Sequence, residues 1–227
     1  MKILLTGSTG FVGMAFLDAI PSSWEVLCIS RKKTFPLQTL KPNIKFLLSS
    51  LQDIKTLSHE IKLFGPDVCL HLAWEGLPDY GYDACSLNFN YFQSLLDVLI
   101  KNSIRKIIVA GSCFEVGLFK GLASPTIIEG MSSNLLGSYK NLHIRLLESL
   151  ANASLIDFTW ARIFYLYGPN QRENSLVPSI IKGFLNNQPI YPAHPFVDEL
   201  IQYYYKQILV ISYHLVPLQL LTFPPYF

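Results

Sequence analysis

Thr6-Gly7-Ser8-Thr9-Gly10-Phe11-Val12-Gly13 is the stretch that decides the fold of this chain. The apolar run before it, Ile3-Leu4-Leu5, reads as a short buried strand. After it, Val12, Ala15, Phe16, Ala19 and Ile20 recur at helical spacing. Gly7, Gly10 and Gly13 therefore stand at a strand-to-helix turn. In such a turn Gly7 supplies the tight bend, Gly10 lets the backbone approach a phosphate, and Gly13 lets the helix pack close to the sheet. The N–H groups and positive dipole end of that helix then face a pyrophosphate. Ser8, Thr9, Phe11 and Val12 share the turn and complete the expected contact set. A glycine-rich turn with no ligand is the plainer alternative. The strand before and the helix after favour a dinucleotide.

The bulk numbers set outer bounds. At 227 residues the chain can bury a core as one domain, or as one domain with a small lobe. Eighteen basic and sixteen acidic residues give a net charge of +2, which leaves no electrostatic footprint for nucleic acid. Cys28, Cys69, Cys85 and Cys113 are scattered with no C-x-x-C pair. That spacing speaks against a zinc site or a disulfide framework and suits a reducing cytoplasm. The N-terminal apolar run is too short for a signal peptide and enters the glycine turn at once. Half of the residues are hydrophobic, as a parallel sheet buried on both faces requires.

Further strands are expected at Trp24–Ile29, Ile44–Leu48, from Asp67, Arg105–Ala110 and Leu155–Phe164, with helices between them. Right-handed crossovers then give an α/β fold, a doubly wound parallel sheet of Rossmann type in the order 3-2-1-4-5-6. The second strand ends in Ser30-Arg31-Lys32-Lys33, with no acid to hold a ribose 2′-hydroxyl. An arginine there accommodates a 2′-phosphate, so Arg31 points to NADP(H) over NAD. A solvated basic loop is the alternative. No second ligand stands at metal spacing from His71, and no metal is expected.

Several separated motifs resemble the extended short-chain dehydrogenase/reductase family, the NAD(P)-dependent epimerases and dehydratases of nucleotide sugars. Besides the G-x-x-G-x-x-G turn they are His71-Leu72-Ala73, Gly111 to Gly117, Gly137 with Lys140, and Arg162-Ile163-Phe164-Tyr165-Leu166-Tyr167-Gly168-Pro169. The likeness covers roughly residues 1–190. It implies a dinucleotide-binding domain over 1–165 and a substrate lobe over 166–227, with a nucleotide sugar as substrate and a homodimer left open. Leu72 and Ala73 would lie along the cofactor, and Asn90 would brace the site from its helix or, equally, face solvent as an ordinary polar residue. Ser50 stands where the family usually has an Asp near the adenine. Ser112 would hydrogen-bond the reacting sugar oxygen, with a serine that merely satisfies the loop backbone as the alternative. Cys113 and Phe114 replace the Asp-Glu pair of sugar 4,6-dehydratases, so epimerisation or keto reduction is favoured over elimination. Arg172 is a diphosphate contact or an ordinary surface arginine.

The family's Y-x-x-x-K pattern puts a tyrosine and a lysine on one helix face. The ammonium lowers the phenol's pKa while holding the ribose, and the phenol moves the proton during hydride transfer. Here Lys140 and Gly137 match, but Leu136 occupies the tyrosine position. Tyr139 stands three residues on, about 4.5 Å along the axis and about 60° around it. Ser112, Lys140 and, off register, Tyr139 are the candidate catalytic residues, with Lys140 also toward the cofactor. A protein that holds the dinucleotide with little or no turnover is the competing expectation. Beyond Pro192 the likeness fades to Phe196-Val197-Asp198-Glu199. The last 21 residues carry no Asp, Glu, Lys or Arg, and Ile208 to Val216 is too short to span a membrane. The expected lobe is therefore small and incomplete.

Overall fold

The computed structural model describes residues 1–31, 41–117, 132, 134–164 and 166–186. Six strands and five helices are present among them: β1 (Lys2–Thr6), α1 (Phe11–Ala19), β2 (Glu25–Ser30), β3 (Ile44–Leu48), α2 (Ile54–Phe64), β4 (Val68–His71), α3 (Tyr82–Lys101), β5 (Lys106–Ala110), α4 (Leu135–Asn152), β6 (Asp157–Ala161) and α5 (Leu176–Leu185). A short 3₁₀ turn, Cys113–Val116, follows β5. The sheet order is β3-β2-β1-β4-β5-β6, every pair parallel, as the alternation of strands and helices requires. β6 is shorter than the expected Leu155–Phe164.

Side-chain alternation along the strands divides the core into two layers. Ile3 and Leu5 of β1 join Val26 and Cys28 of β2 against Leu17 of α1. Leu4, Leu27 and Ile29 point the other way, toward Leu57 and Ile61 of α2 and toward Phe92, Leu95 and Leu99 of α3. α2 is thus the crossover that carries the chain from the β3 edge back to β4. Its ends are locally encoded. Asp53 caps the start by accepting from the Thr56 N–H at 3.2 Å, and Gly65 closes the helix in the left-handed conformation.

The reversal of strand order falls between β1 and β4, so the carboxyl ends of these two strands frame the crevice where such sheets take ligands. Met1–Arg162 forms one compact unit and a second begins at Ile163. Within the second, α5 is the last described element. Lys32, Lys33, Tyr165, and the stretches 118–131 and 187–227 lie outside the described residues. So do Phe196-Val197-Asp198-Glu199 and the apolar run from Ile208.

Candidate functional site

The first half of the site is built from backbone. Gly7 adopts φ +76°, and a Cβ there would stand 2.6 Å from the Leu72 carbonyl carbon and 2.7 Å from the Ala73 nitrogen. Only glycine lets the end of β1 press against the chain leaving β4. A Cβ on Gly13 would lie 2.2 Å from the Gly7 oxygen, so the helix start is equally closed to side chains. α1 begins at Gly10 with no side-chain cap and no acid in its first turn. Its leading N–H groups and dipole are left for an anion, which is the donor set a pyrophosphate needs.

Thr6 stitches the two strand ends together. Its Oγ1 pairs with His71 Nδ1 at 2.8 Å and accepts from the Ala73 N–H at 3.3 Å, while its carbonyl accepts from the Leu72 N–H at 3.1 Å. Burial holds the His71 imidazole well below the usual histidine range, with the nearby Lys140 and His143 adding to the effect. His71 is thus a neutral core histidine, and it is Leu72 and Ala73 whose backbone meets the glycine turn.

Arg31, at the end of β2, is half exposed and ion-paired with Glu75, which follows β4. Glu75 is anchored from α3. Its N–H donates to Asn88 Oδ1 at 2.7 Å, and Asn88 Nδ2 donates to the Glu75 and Ala84 carbonyls at 2.8 and 2.7 Å. Asn90, which the family resemblance puts in this bracing place, is exposed instead. The physical reason is periodicity. Asn88 falls on the inward face with Cys85, Phe92, Leu95 and Leu99, and Asn90 does not. Ser50 turns its hydroxyl to a local bond, accepting from the Gln52 N–H at 3.3 Å.

The second half gathers at the end of β5. Lys140 is buried, and its Nζ donates to the Ala110 carbonyl at 2.7 Å. The ammonium lies 4.5 Å from the Trp74 ring centre and 5.9 Å from that of Trp160. Burial pulls the Lys140 pKa down to about 8, against a rise from the Glu115 carboxylate and from Cys85. Ser112, two residues past Ala110, caps the 3₁₀ turn by accepting from the Phe114 N–H at 3.3 Å.

Glu115 holds that turn from inside. Its side chain is fully buried and accepts from the Ser112 N–H, from Trp160 Nε1 at 2.9 Å and from Arg162 Nε at 2.9 Å. Its carbonyl accepts from Asn141 Nδ2 on α4 at 3.2 Å. A buried carboxylate with three donors and one matched cation is the arrangement that offsets its desolvation. Nothing in the sequence reading singled out Glu115, although it lies inside the Gly111–Gly117 segment already marked.

α4 fixes the register of the remaining candidates. Asn134 caps it, accepting from the Gly137 N–H at 2.9 Å, so Leu136 and Lys140 fall one turn apart on the buried face. Leu136 is only 6% exposed and offers no proton. Tyr139 turns toward α3, its ring meeting Phe89 edge-on at 6.0 Å. Its carbonyl takes a 2.6 Å bond with His143 Nδ1, and the His143 ring lies tilted against Phe92, the ring centres 4.4 Å apart. Burial, and then the Lys140 charge, lower the His143 pKa to about 3. Arg172 is exposed in the second unit.

No group of three metal-ligating side chains occurs among the described residues, and no helix among them is long and apolar enough to cross a membrane.

A doubly wound parallel sheet with an uncapped glycine turn at its switch point defines a dinucleotide-binding protein of the Rossmann class. The pattern of the NAD dependent epimerase/dehydratase family matches residues 3–198, and the chain belongs to that family. It is 26% identical over 199 residues to the dTDP-6-deoxy-L-talose 4-dehydrogenase (NAD(+)) of Aggregatibacter actinomycetemcomitans, covering 86% of this chain and 72% of the relative. Among solved structures, UDP-glucose 4-epimerase of Thermotoga maritima with UDP-glucose superposes with a TM-score of 0.73 at 20% identity, over 89% of this chain and 71% of that one. UDP-glucuronic acid 4-epimerase of Bacillus cereus in complex with NAD gives 0.71 at 25% identity, over 84% and 65%.

Proposed function

We propose that this protein binds NAD(P) in the crevice at the ends of β1 and β4 and transfers hydride at a carbon of a nucleotide sugar, as an epimerase or 4-ketoreductase. The observation that carries the reading is the gathering of Lys140 and Ser112 at the end of β5, beside the strand whose continuation presses on Gly7. Gly7, Ser8, Thr9, Gly10, Phe11, Val12 and Gly13 would hold the pyrophosphate, with Leu72 and Ala73 along the dinucleotide. When bound, the nicotinamide gives or takes the hydride. Lys140 would exchange its bond to the Ala110 carbonyl for the ribose hydroxyls, and Ser112 would donate to the sugar oxygen.

Arg31 is the group that would meet a 2′-phosphate, which supports NADP(H) as the form preferred. Four cysteines that form no disulfide go with a cytoplasmic setting. The substrate lobe would be supplied from residue 166 onward.

Leu136 favours a second reading, a protein that keeps the dinucleotide but turns over slowly or not at all. Serine is too weakly acidic to replace a phenol, and a missing acid–base group costs about 10²–10⁴ in rate. The test is NADPH and NADH oxidation by the purified protein against a panel of nucleotide-keto-sugars. Slow, sugar-dependent oxidation is the expected result. Tight dinucleotide binding with no oxidation by any panel member would leave the second reading standing.

A further inference from the structure

Arg31 and Glu75 leave the sheet from the two strands that flank β1, so their ion pair bridges the carboxyl end of β1 beside the glycine turn. β1 pairs with β2 up to Thr6–Ile29 and with β4 up to Thr6–His71. Arg31 thus stands two residues beyond the β2 pairing and Glu75 four beyond the β4 pairing. The bridge is built rather than incidental. Both main-chain polar groups of Glu75 are fixed by buried Asn88. Its carboxylate also faces Tyr91 of α3, whose phenol is raised by burial first and then by that charge.

Two functional requirements meet at this place. β2 ends without the acid that holds a ribose 2′-hydroxyl, and it ends with an arginine suited to a 2′-phosphate. Glu75 brings a carboxylate to the same arginine from the neighbouring strand. A phosphate can use the Arg31 fork only by displacing that carboxylate or sharing the fork with it, against like-charge repulsion. We propose that Glu75 is a specificity-determining residue, an internal competitor that occupies Arg31 and limits how strongly the site prefers a 2′-phosphorylated dinucleotide. The inference rests on the dinucleotide reading above. It means that the arginine at the end of β2 does not by itself set the preference, because its partner subtracts from it.

Calorimetric titration of NADH, NADPH, ADP and adenosine 2′,5′-bisphosphate into the wild type, Glu75→Gln, Arg31→Ala and the double variant tests it. Glu75→Gln keeps the Asn88 contacts, which are to the backbone. It should tighten NADPH and the bisphosphate about tenfold, with NADH and ADP changed less than twofold. In the Arg31→Ala background the same change should shift NADPH by under threefold, because the competitor acts through Arg31. Equal shifts for phosphorylated and unphosphorylated ligands, or no shift while all still bind, would overturn the proposal and leave dinucleotide binding intact. Binding of none of the four ligands to any folded variant, with folding checked by circular dichroism, would overturn the dinucleotide reading itself and this inference with it.

Discussion

The two ends of the crevice are built by different means. At β1 and β4 the site is backbone: Gly7 against Leu72 and Ala73, Gly13 against Gly7, and a helix start with no side-chain cap. At β5 and α4 it is side chains: Ser112 and Lys140, with buried Glu115 joining the turn, β6 and Arg162. The backbone end has the close glycine packing and the helix start without a side-chain cap that a pyrophosphate site calls for. The side-chain end holds the Lys140 ammonium and the Glu115–Arg162 pair, with Leu136 one turn before Lys140, where the proposed hydride chemistry calls for a phenol. On the proposed function binding and chemistry are therefore separable, and a substitution in one end should leave the other measurable.

Three experiments press on that separation. The largest effect belongs to Gly13→Val, whose side chain would begin 2.2 Å from the Gly7 carbonyl oxygen. Dinucleotide affinity should fall by about a hundredfold or more, some 2.7 kcal/mol. Titration on folded protein checks it, and retained affinity would place the ligand elsewhere. Next is Glu115→Ala, which leaves the Arg162 guanidinium buried without its carboxylate. Breaking such a pair costs about 3–5 kcal/mol. That is roughly 6–20 °C in Tm for a chain of this size. Because the loss is structural, denaturant unfolding should report it with no ligand present.

The third concerns Lys140 and pH. Its folded pKa is lowered to about 8 from an ordinary 10.5, mainly by burial. Between those values the unfolded chain binds more protons than the folded one, so stability rises with pH across that window. Lys140→Met should flatten the rise and stabilise the protein near neutral pH. An unchanged slope would mean that the ammonium is better solvated than its surroundings imply.

The strand, turn and helix of the backbone half were legible, because apolar run, glycine spacing and helix period are all local signals. The sheet order followed from crossover handedness once the strands were counted. The side-chain half was less legible, because its logic is tertiary. Glu115 becomes important only when β6 brings Trp160 and Arg162 to it from some 45 residues away. Asn88 was recoverable from the i, i+3, i+4 rhythm of Cys85, Phe92, Leu95 and Leu99, whereas the motif likeness led to exposed Asn90. Arg31 was visible as a cation, but its pairing with Glu75 spans 44 positions and leaves no local trace. Leu136 was legible as a departure, and α4, capped by Asn134, keeps it on the buried face with Lys140.

Smallest of the expected effects is that of Tyr139→Phe, since the ring packs edge-on against Phe89 of α3. Less than a twofold change in rate or affinity is expected. It serves as the control for the decisive measurement, single-turnover hydride transfer in wild type and Leu136→Tyr with dinucleotide binding measured alongside. The account predicts equal binding, a slow wild type, and a rate at least about 10² higher once a phenol stands one turn before Lys140. A fast wild type that loses its rate with Tyr139→Phe would contradict it, because Tyr139 would then be the group that moves the proton.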